Sequence, residues 1–209
     1  MSGVFVVFEG GDGVGKSTQV KMLAGWLDEV GIAHRVTREP GDTWLGGHLR
    51  QLLLDPASGP ISPRAEALVY AADKAQHVDE VVMPALAAGQ VVVCDRYVDS
   101  TLAYQGAGRG MPLDELEAVA RWATRDLRPH LTVLLDVDPQ QAVHSKDEPD
   151  RLESAGEQFH RDARALFLTL AQADPGRYLV LDGRQNRDAI GREVRERLRP
   201  LLVAQGLLG

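Results

Sequence analysis

The chain has 209 residues, 44% of them hydrophobic and 25% charged, which is enough to bury a sizeable core and fits one α/β domain. Its 23 basic and 30 acidic residues leave a formal net charge of −7, which speaks against a protein that lives on nucleic acid or on an anionic membrane surface. The single Cys94 excludes an intramolecular disulfide, no apolar run approaches ~18 residues, and Met1, Ser2 and Gly3 form no basic leader, so a cytoplasmic protein is expected. In chain order, Val4 to Phe8 is an apolar strand, and Val20, Leu23, Ala24 and Leu27 repeat as i, i+3, i+4, i+7 on a helix. Between them lies Gly10, Gly11, Asp12, Gly13, Val14, Gly15, Lys16, Ser17, which satisfies G-x-x-x-x-G-K-[ST] in the strand-to-helix setting that pattern requires. Glycines let successive N–H groups turn inward, the following helix adds its positive end, and a polyphosphate fits between them. Lys16 would reach its β and γ phosphates, Ser17 would enter the shell of a Mg²⁺ ion, and Thr18 closes the ATP-binding stretch.

Ala33 to Arg38 reads as a second strand, ended by the loop Glu39, Pro40, Gly41, and Leu45 to Leu54 as a helix. A longer helix starts after Ser62 with Pro63 in its first turn, carries Ala65, Leu68, Val69 and Ala72 on one face, and is kinked late by Pro84. Gln90 to Cys94 is apolar throughout, as in a strand covered on both faces, and Asp95 and Arg96 stand at its carboxyl end, where open α/β sheets bind ligands. Asp99 to Gln105 is a short helix giving way to a flexible glycine run, Gly106 to Gly110, before a helix through Leu116, Ala120 and Leu127. Leu131 to Val137 is the fourth strand, and Asp138 and Pro139 open a helix. The polar stretch His144 to Asp150 breaks periodicity and is expected to be part of a mobile flap over residues 144–153. A helix through Phe159, Ala163 and Phe167, a fifth strand Tyr178 to Leu181 and a last helix through Ile190, Val194 and Leu198 complete the chain. The alternation predicts an α/β fold: one domain over residues 1–209, with a five-stranded parallel sheet and helices on both faces, of the P-loop type.

A phosphate loop alone leaves kinases, GTPase switches and motor ATPases open. Guanine-reading switches use an Asn-Lys-x-Asp motif, and Asn186, the sole asparagine, is followed by Arg187, so that motif cannot be made. Large ATPase machines normally carry more chain than this, which leaves a small-molecule phosphotransferase in front. The six histidines show no metal-ligand spacing, and Trp26, Trp44 and Trp122 are read as packing residues.

Beyond the phosphate loop, three stretches carry a family likeness: Thr37 to Gly41, Tyr70 to Lys74, and above all Asp95, Arg96, Tyr97, Val98, Asp99, Ser100, Thr101, Leu102, Ala103, Tyr104, Gln105, Gly106. In these the chain resembles thymidylate kinases of the bacterial type, a group of P-loop nucleoside monophosphate kinases, in order from first strand to last helix. The resemblance implies transfer of the γ-phosphoryl group of ATP to dTMP with Mg²⁺, giving dTDP and ADP, and a homodimer formed through helices. It implies that Asp12 faces the acceptor sugar, that Arg96 grips the acceptor phosphate, and that Asp95 holds the Mg²⁺ shell with Ser17. Tyr70 would stack on the base, Arg50, Ser100, Thr101 and Gln105 would supply polar contacts, Tyr104 would lie under the deoxyribose, and Glu39 would shape the acceptor loop. For Tyr70 and Tyr104 core packing is the alternative, and for Glu39 a loop-structural role.

The chain also departs from that pattern. Lys74 stands where an arginine contacting the base is common, Asp42 replaces a glycine, and the phosphate loop has Gly13 where one branch of the family has a catalytic arginine. The flap cations are therefore Lys146 and Arg151, with Arg151 expected to contribute more to catalysis through its fork. A low-activity nucleotide-binding relative, or a kinase for another nucleoside monophosphate, is the alternative reading.

Overall fold

Every side chain from Val4 to Glu9 is buried, and this strand, β1, is the centre of the sheet. The structure is a computed structural model and describes residues 2–141 and 151–209. Its strands β1 (Val4–Glu9), β2 (His34–Arg38), β3 (Val91–Asp95), β4 (Leu131–Asp136) and β5 (Tyr178–Asp182) form one sheet in the order β2-β3-β1-β4-β5. All neighbouring pairs are parallel, with Phe8 opposite Asp95 and Val133. This is the expected α/β architecture with five parallel strands. Parallel strands need covered faces, which is why β1, β3 and β4 read as unbroken apolar runs.

The helices are α1 (Lys16–Glu29), α2 (Trp44–Leu54), α3 (Pro63–His77), α4 (Met83–Ala87), α5 (Val98–Thr101), α6 (Leu113–Ala123), α7 (Glu157–Ala173) and α8 (Arg187–Ala204). On one face of the sheet Val4, Val6 and Phe8 pack with Leu23 and Leu27 of α1 and Val194 and Leu198 of α8. On the other, Phe5 and Val7 pack with Val78, Val82 and Leu86. Capping follows the sequence: the Thr43 hydroxyl accepts from Gly46 N at 2.9 Å at the start of α2, and Ser62 does so for Ala65 N ahead of Pro63 in α3. Among the described residues no helix is long and apolar enough to cross a membrane.

Four expectations need correcting. The helix α3 turns Leu68 outward, 60% exposed, and buries Glu66, Ala67, Tyr70, Ala71, Asp73, Lys74 and His77 instead. Apolar periodicity misled there because the inward face is made of charged groups with partners. The irregularity in that helix precedes Pro84, as a wide turn over Val78–Val82, and the backbone stays helical from there into α4, which holds Pro84 in its first turn. Gly106 to Gly108 are not a flexible run: α5 continues as a wide helical stretch over Leu102–Gly108, where a Cβ on Gly108 would stand 2.5 Å from the Phe159 ring. Of the three tryptophans only Trp26 is buried; Trp44 and Trp122 are 78% and 83% exposed.

Candidate functional site

The carboxyl ends of β1, β2, β3 and β4 open onto two cavities of about 620 and 600 Å³, and Asp12 and Tyr104 line both. The first is floored by the loop between β1 and α1. Gly10 there has φ of 129°, and a Cβ on it would lie 2.3 Å from the carbonyl oxygen of Leu135, so the strand can turn away only at a glycine. Gly15, with φ of 97°, leads into α1 and leaves Lys16 and Ser17 in the first turn. Without an anion, the Lys16 ammonium folds back onto the carbonyls of Gly10 and Gly11. Burial and the nearby Arg96 guanidinium push its pKa down to about 8.

Arg96 lines the second cavity and reaches Gly10 and Asp12, which line the first. Its backbone N–H donates to Phe8 O at 2.9 Å, and its φ of 71° is an uncommon conformation for a residue with a Cβ. That turn sends the guanidinium across the end of β1, where it donates to Gly10 O at 2.9 Å and to the Asp12 carboxylate at 2.6 Å. It also donates to Ser100 Oγ at 3.1 Å and to the Tyr104 hydroxyl at 3.3 Å. Burial opposes ionisation of Asp12, but Arg96 and Lys16 outweigh it and hold the carboxyl below its usual range. Beneath Arg96, the buried Glu9 accepts from Tyr97 N at 2.8 Å, Ser100 N at 3.2 Å and Ser100 Oγ at 2.6 Å. Burial pushes the Glu9 carboxyl up to about 7.

The second cavity gathers every acceptor residue expected from the sequence: Asp12, Glu39, Arg50, Tyr70, Lys74 and Arg96, with Ser100, Thr101, Tyr104 and Gln105 on the opposite side. Lys74 is not free to reach far into it. Its ammonium, 2% exposed, donates to Glu39 Oε2 at 2.7 Å, while the other Glu39 oxygen lies 2.7 Å from His77 Nδ1. Burial alone would raise Glu39, yet Lys74 and His77 hold it below the normal carboxylate range. Tyr104 is shared between roles, since its ring stacks on Phe159 at 5.7 Å while its hydroxyl meets Arg96. The Thr101 hydroxyl is buried without a hydrogen-bond partner among the described residues.

A metal shell has candidates in Ser17 and Asp95. The Ser17 hydroxyl donates to Asp95 Oδ2 at 2.9 Å, and Asp95 Oδ1 is buried with no hydrogen-bond partner among the described residues. An orphaned carboxylate oxygen beside a hydroxyl and a phosphate loop is a hard-oxygen donor set, which fits Mg²⁺ completed by waters and phosphates.

The flap expectation fares differently. Lys146 and residues 144–150 of the flap lie outside the described residues. Arg151 is described, and its guanidinium does not stand over the phosphate loop: it donates to Leu53 O at 2.8 Å and to Glu66. Glu66, wholly buried on α3, holds Arg151 there and also draws Arg109 at 3.3 Å and the Gln105 amide at 2.9 Å. Arg164, which lines the first cavity and holds Asp136 through two bonds of 2.7 and 2.9 Å, was not singled out from sequence, nor were Glu9 and Glu66. Glu9 carried a signal, a carboxylate ending a wholly apolar strand. Glu66 carried none, because it lies on the face of α3 opposite the apolar repeat.

Comparison with known proteins places these features in one group. A family model described as thymidylate kinase matches residues 8–194. A thymidylate kinase of Cutibacterium acnes is 60% identical over 202 residues, covering 97% of this chain and 99% of the relative. One of Clavibacter michiganensis subsp. michiganensis is 50% identical over 208 residues and 98% of each chain. A crystal structure of thymidylate kinase from Ehrlichia chaffeensis superposes with a TM-score of 0.79 at 30% identity, covering 94% of this chain and 98% of that one.

The lowered Lys16 has a measurable consequence. At pH 8 a large part of Lys16 is neutral in the free protein, and a bound polyphosphate restores its charge, so binding of ATP without acceptor takes up a fraction of a proton. Calorimetry in two buffers of different ionisation enthalpy is expected to show this uptake at pH 8, little of it at pH 6.5, and none in Lys16→Met. Equal uptake at both pH values would contradict the folded-back ammonium.

Proposed function

Because the chain belongs to the thymidylate kinase family and is a kinase that converts dTMP to dTDP, we propose how its own residues divide that work. The observation that carries the reading is the junction of the two cavities, where Asp12, Arg96 and Tyr104 stand between the phosphate loop and the acceptor pocket. ATP lies with its phosphates on the loop Gly10 to Thr18, and dTMP occupies the second cavity with its phosphate toward Arg96. An oxygen of the dTMP phosphate attacks the γ-phosphorus, the bond to the β–γ bridging oxygen breaks, and ADP leaves with that electron pair. The protein supplies position and positive charge rather than a covalent intermediate.

Lys16 leaves the two loop carbonyls for the β and γ oxygens as they arrive. Arg96 exchanges the Asp12 carboxylate for the acceptor phosphate, which its fork holds by two donors, and the freed carboxylate takes a hydrogen bond from the acceptor sugar. Tyr70 faces the base and Tyr104 the deoxyribose, while Arg50 from α2 closes the phosphate side. Ser17 and Asp95 would hold a Mg²⁺ ion, which when bound would neutralise charge on the phosphates. Lys16→Ala is expected to reduce ADP formation from ATP and dTMP by at least about 10³ with an unchanged circular dichroism spectrum, and dTMP to outperform UMP and dGMP in the parent chain. Near-normal turnover of a folded Lys16→Ala would reject the phosphate-loop assignment.

We also propose a homodimer. Helices α2, α3 and α6 lie side by side, and each presents large apolar side chains to solvent: Trp44 and Leu52, Leu68, and Trp122. A single stray apolar residue is ordinary, but a run across three adjacent helices supports a contact surface, and a second copy meets it symmetrically. Sedimentation velocity is expected to show a dimer that Leu68→Glu with Trp122→Glu converts to monomer. A monomeric parent chain at micromolar concentration would contradict this surface.

A further inference from the structure

Most polar side chains lining the acceptor cavity are already committed to the protein. Lys74 donates to Glu39, Arg96 to the phosphate loop, and Ser100 to Glu9. Gln105 is the instructive case, because the partner of its amide nitrogen fixes which way the amide lies. Its Nε2 donates to Glu66 Oε1 at 2.9 Å, which leaves the carbonyl oxygen Oε1 as the amide end without that partner on a side chain that lines the cavity.

That orientation is chemically forced. Glu66 is completely buried and receives Arg109 and Arg151 as well as Gln105. Burial opposes its ionisation, but the hydrogen bonds from Gln105, Arg151 and Arg109 prevail and hold its carboxyl below the usual range. An ionised carboxylate accepts and cannot donate, so the amide must turn its NH₂ toward Glu66. Without Glu66 the amide could present either end.

We propose that Glu66 is a positioning residue for acceptor choice: it fixes Gln105 with its carbonyl oxygen toward the base, so that the site takes a pyrimidine with an N–H at ring position 3. Thymine and uracil carry that N–H, and cytosine presents a lone pair there. A buried carbonyl facing a lone pair is left unpaired and repelled, which discriminates more strongly than a missing contact. The partly opposing hydroxyl of Thr101 can donate or accept, so it does not choose between the two bases. The proposal rests on the acceptor pocket assigned above, and it adds the reason for the base preference.

The test compares kcat/KM for dTMP and dCMP, with the parent chain measured first. If the parent does not phosphorylate dTMP, the pocket assignment fails, not the role of Glu66. With it active, Glu66→Gln is expected to reduce the dTMP/dCMP ratio by at least about tenfold, because amide against amide permits both orientations. The ATP KM should stay within about twofold, since Glu66 does not touch the phosphate loop. Gln105→Met, which keeps the volume and removes the amide, reads the same ratio should Glu66→Gln fold poorly, and is expected to lower it as much. Adding Glu66→Gln to Gln105→Met should then change the ratio no further. An unaltered ratio in Glu66→Gln, or in Gln105→Met, overturns the proposal, and so does an equal drop from Glu66→Gln in both backgrounds.

Discussion

The guanidinium of Arg96 is where the two halves of the site meet. Its unusual φ of 71° follows directly after β3 and swings the side chain over the end of β1, so that one residue reaches the phosphate loop, the Asp12 carboxylate and the Tyr104 hydroxyl. Left-handed backbone at a residue with a Cβ costs on the order of 1–3 kcal/mol and persists only when its surroundings hold it. Here Phe8 O, Gly10 O and Asp12 do so from one side, and Glu9 does so from below by anchoring Tyr97 N and Ser100. The same cations are thus held by protein acceptors, Arg96 by the Asp12 carboxylate and Lys16 by the loop carbonyls.

Three buried carboxylates, Glu9, Glu39 and Glu66, organise the acceptor side, and each does a different job. Glu9 accepts from backbone and serine and stays partly proton-bound, which suits a group that holds a segment in shape. Glu39 lies between Lys74 and His77, and His77 Nε2 lies 2.6 Å from the Thr37 hydroxyl, which donates to Asp42 at 2.7 Å. Asp42 is thus connected through Thr37 and His77 to Glu39 at the cavity. Glu66 gathers Gln105 and Arg109 from one segment and Arg151 from another, both distant in sequence. Such groups are costly to bury and more costly to leave half-paired, so removing one partner disturbs the rest.

Much of this was legible in the sequence because it depends on local rules. Val4 to Phe8 followed by a glycine loop and Lys16 can hardly be anything else, and apolar strands ending in Asp95 and Arg96 placed those residues at the ligand end of a parallel sheet. The inward face of α3 was not legible, since Glu66, Asp73, Lys74 and His77 find partners on β2, the loop after it and the wide helical stretch after α5, and single-chain periodicity cannot see partners. Nor was the contact between Arg151 and Glu66 legible, since the two lie 85 positions apart. Gly106 to Gly108 looked loose for lack of side chains, when their smallness is what lets Phe159 and Leu113 approach.

If Arg96 couples the two cavities, dTMP affinity must depend on whether the phosphate loop is filled. Calorimetric titration of dTMP, with and without a non-hydrolysable ATP analogue and Mg²⁺, measures that coupling directly. The parent chain is expected to change its dTMP dissociation constant by at least about fivefold on loading the loop, and Arg96→Lys, which keeps a charge but loses the fork, to reduce that factor to less than about twofold. Coupling of full size in a folded Arg96→Lys would contradict the account.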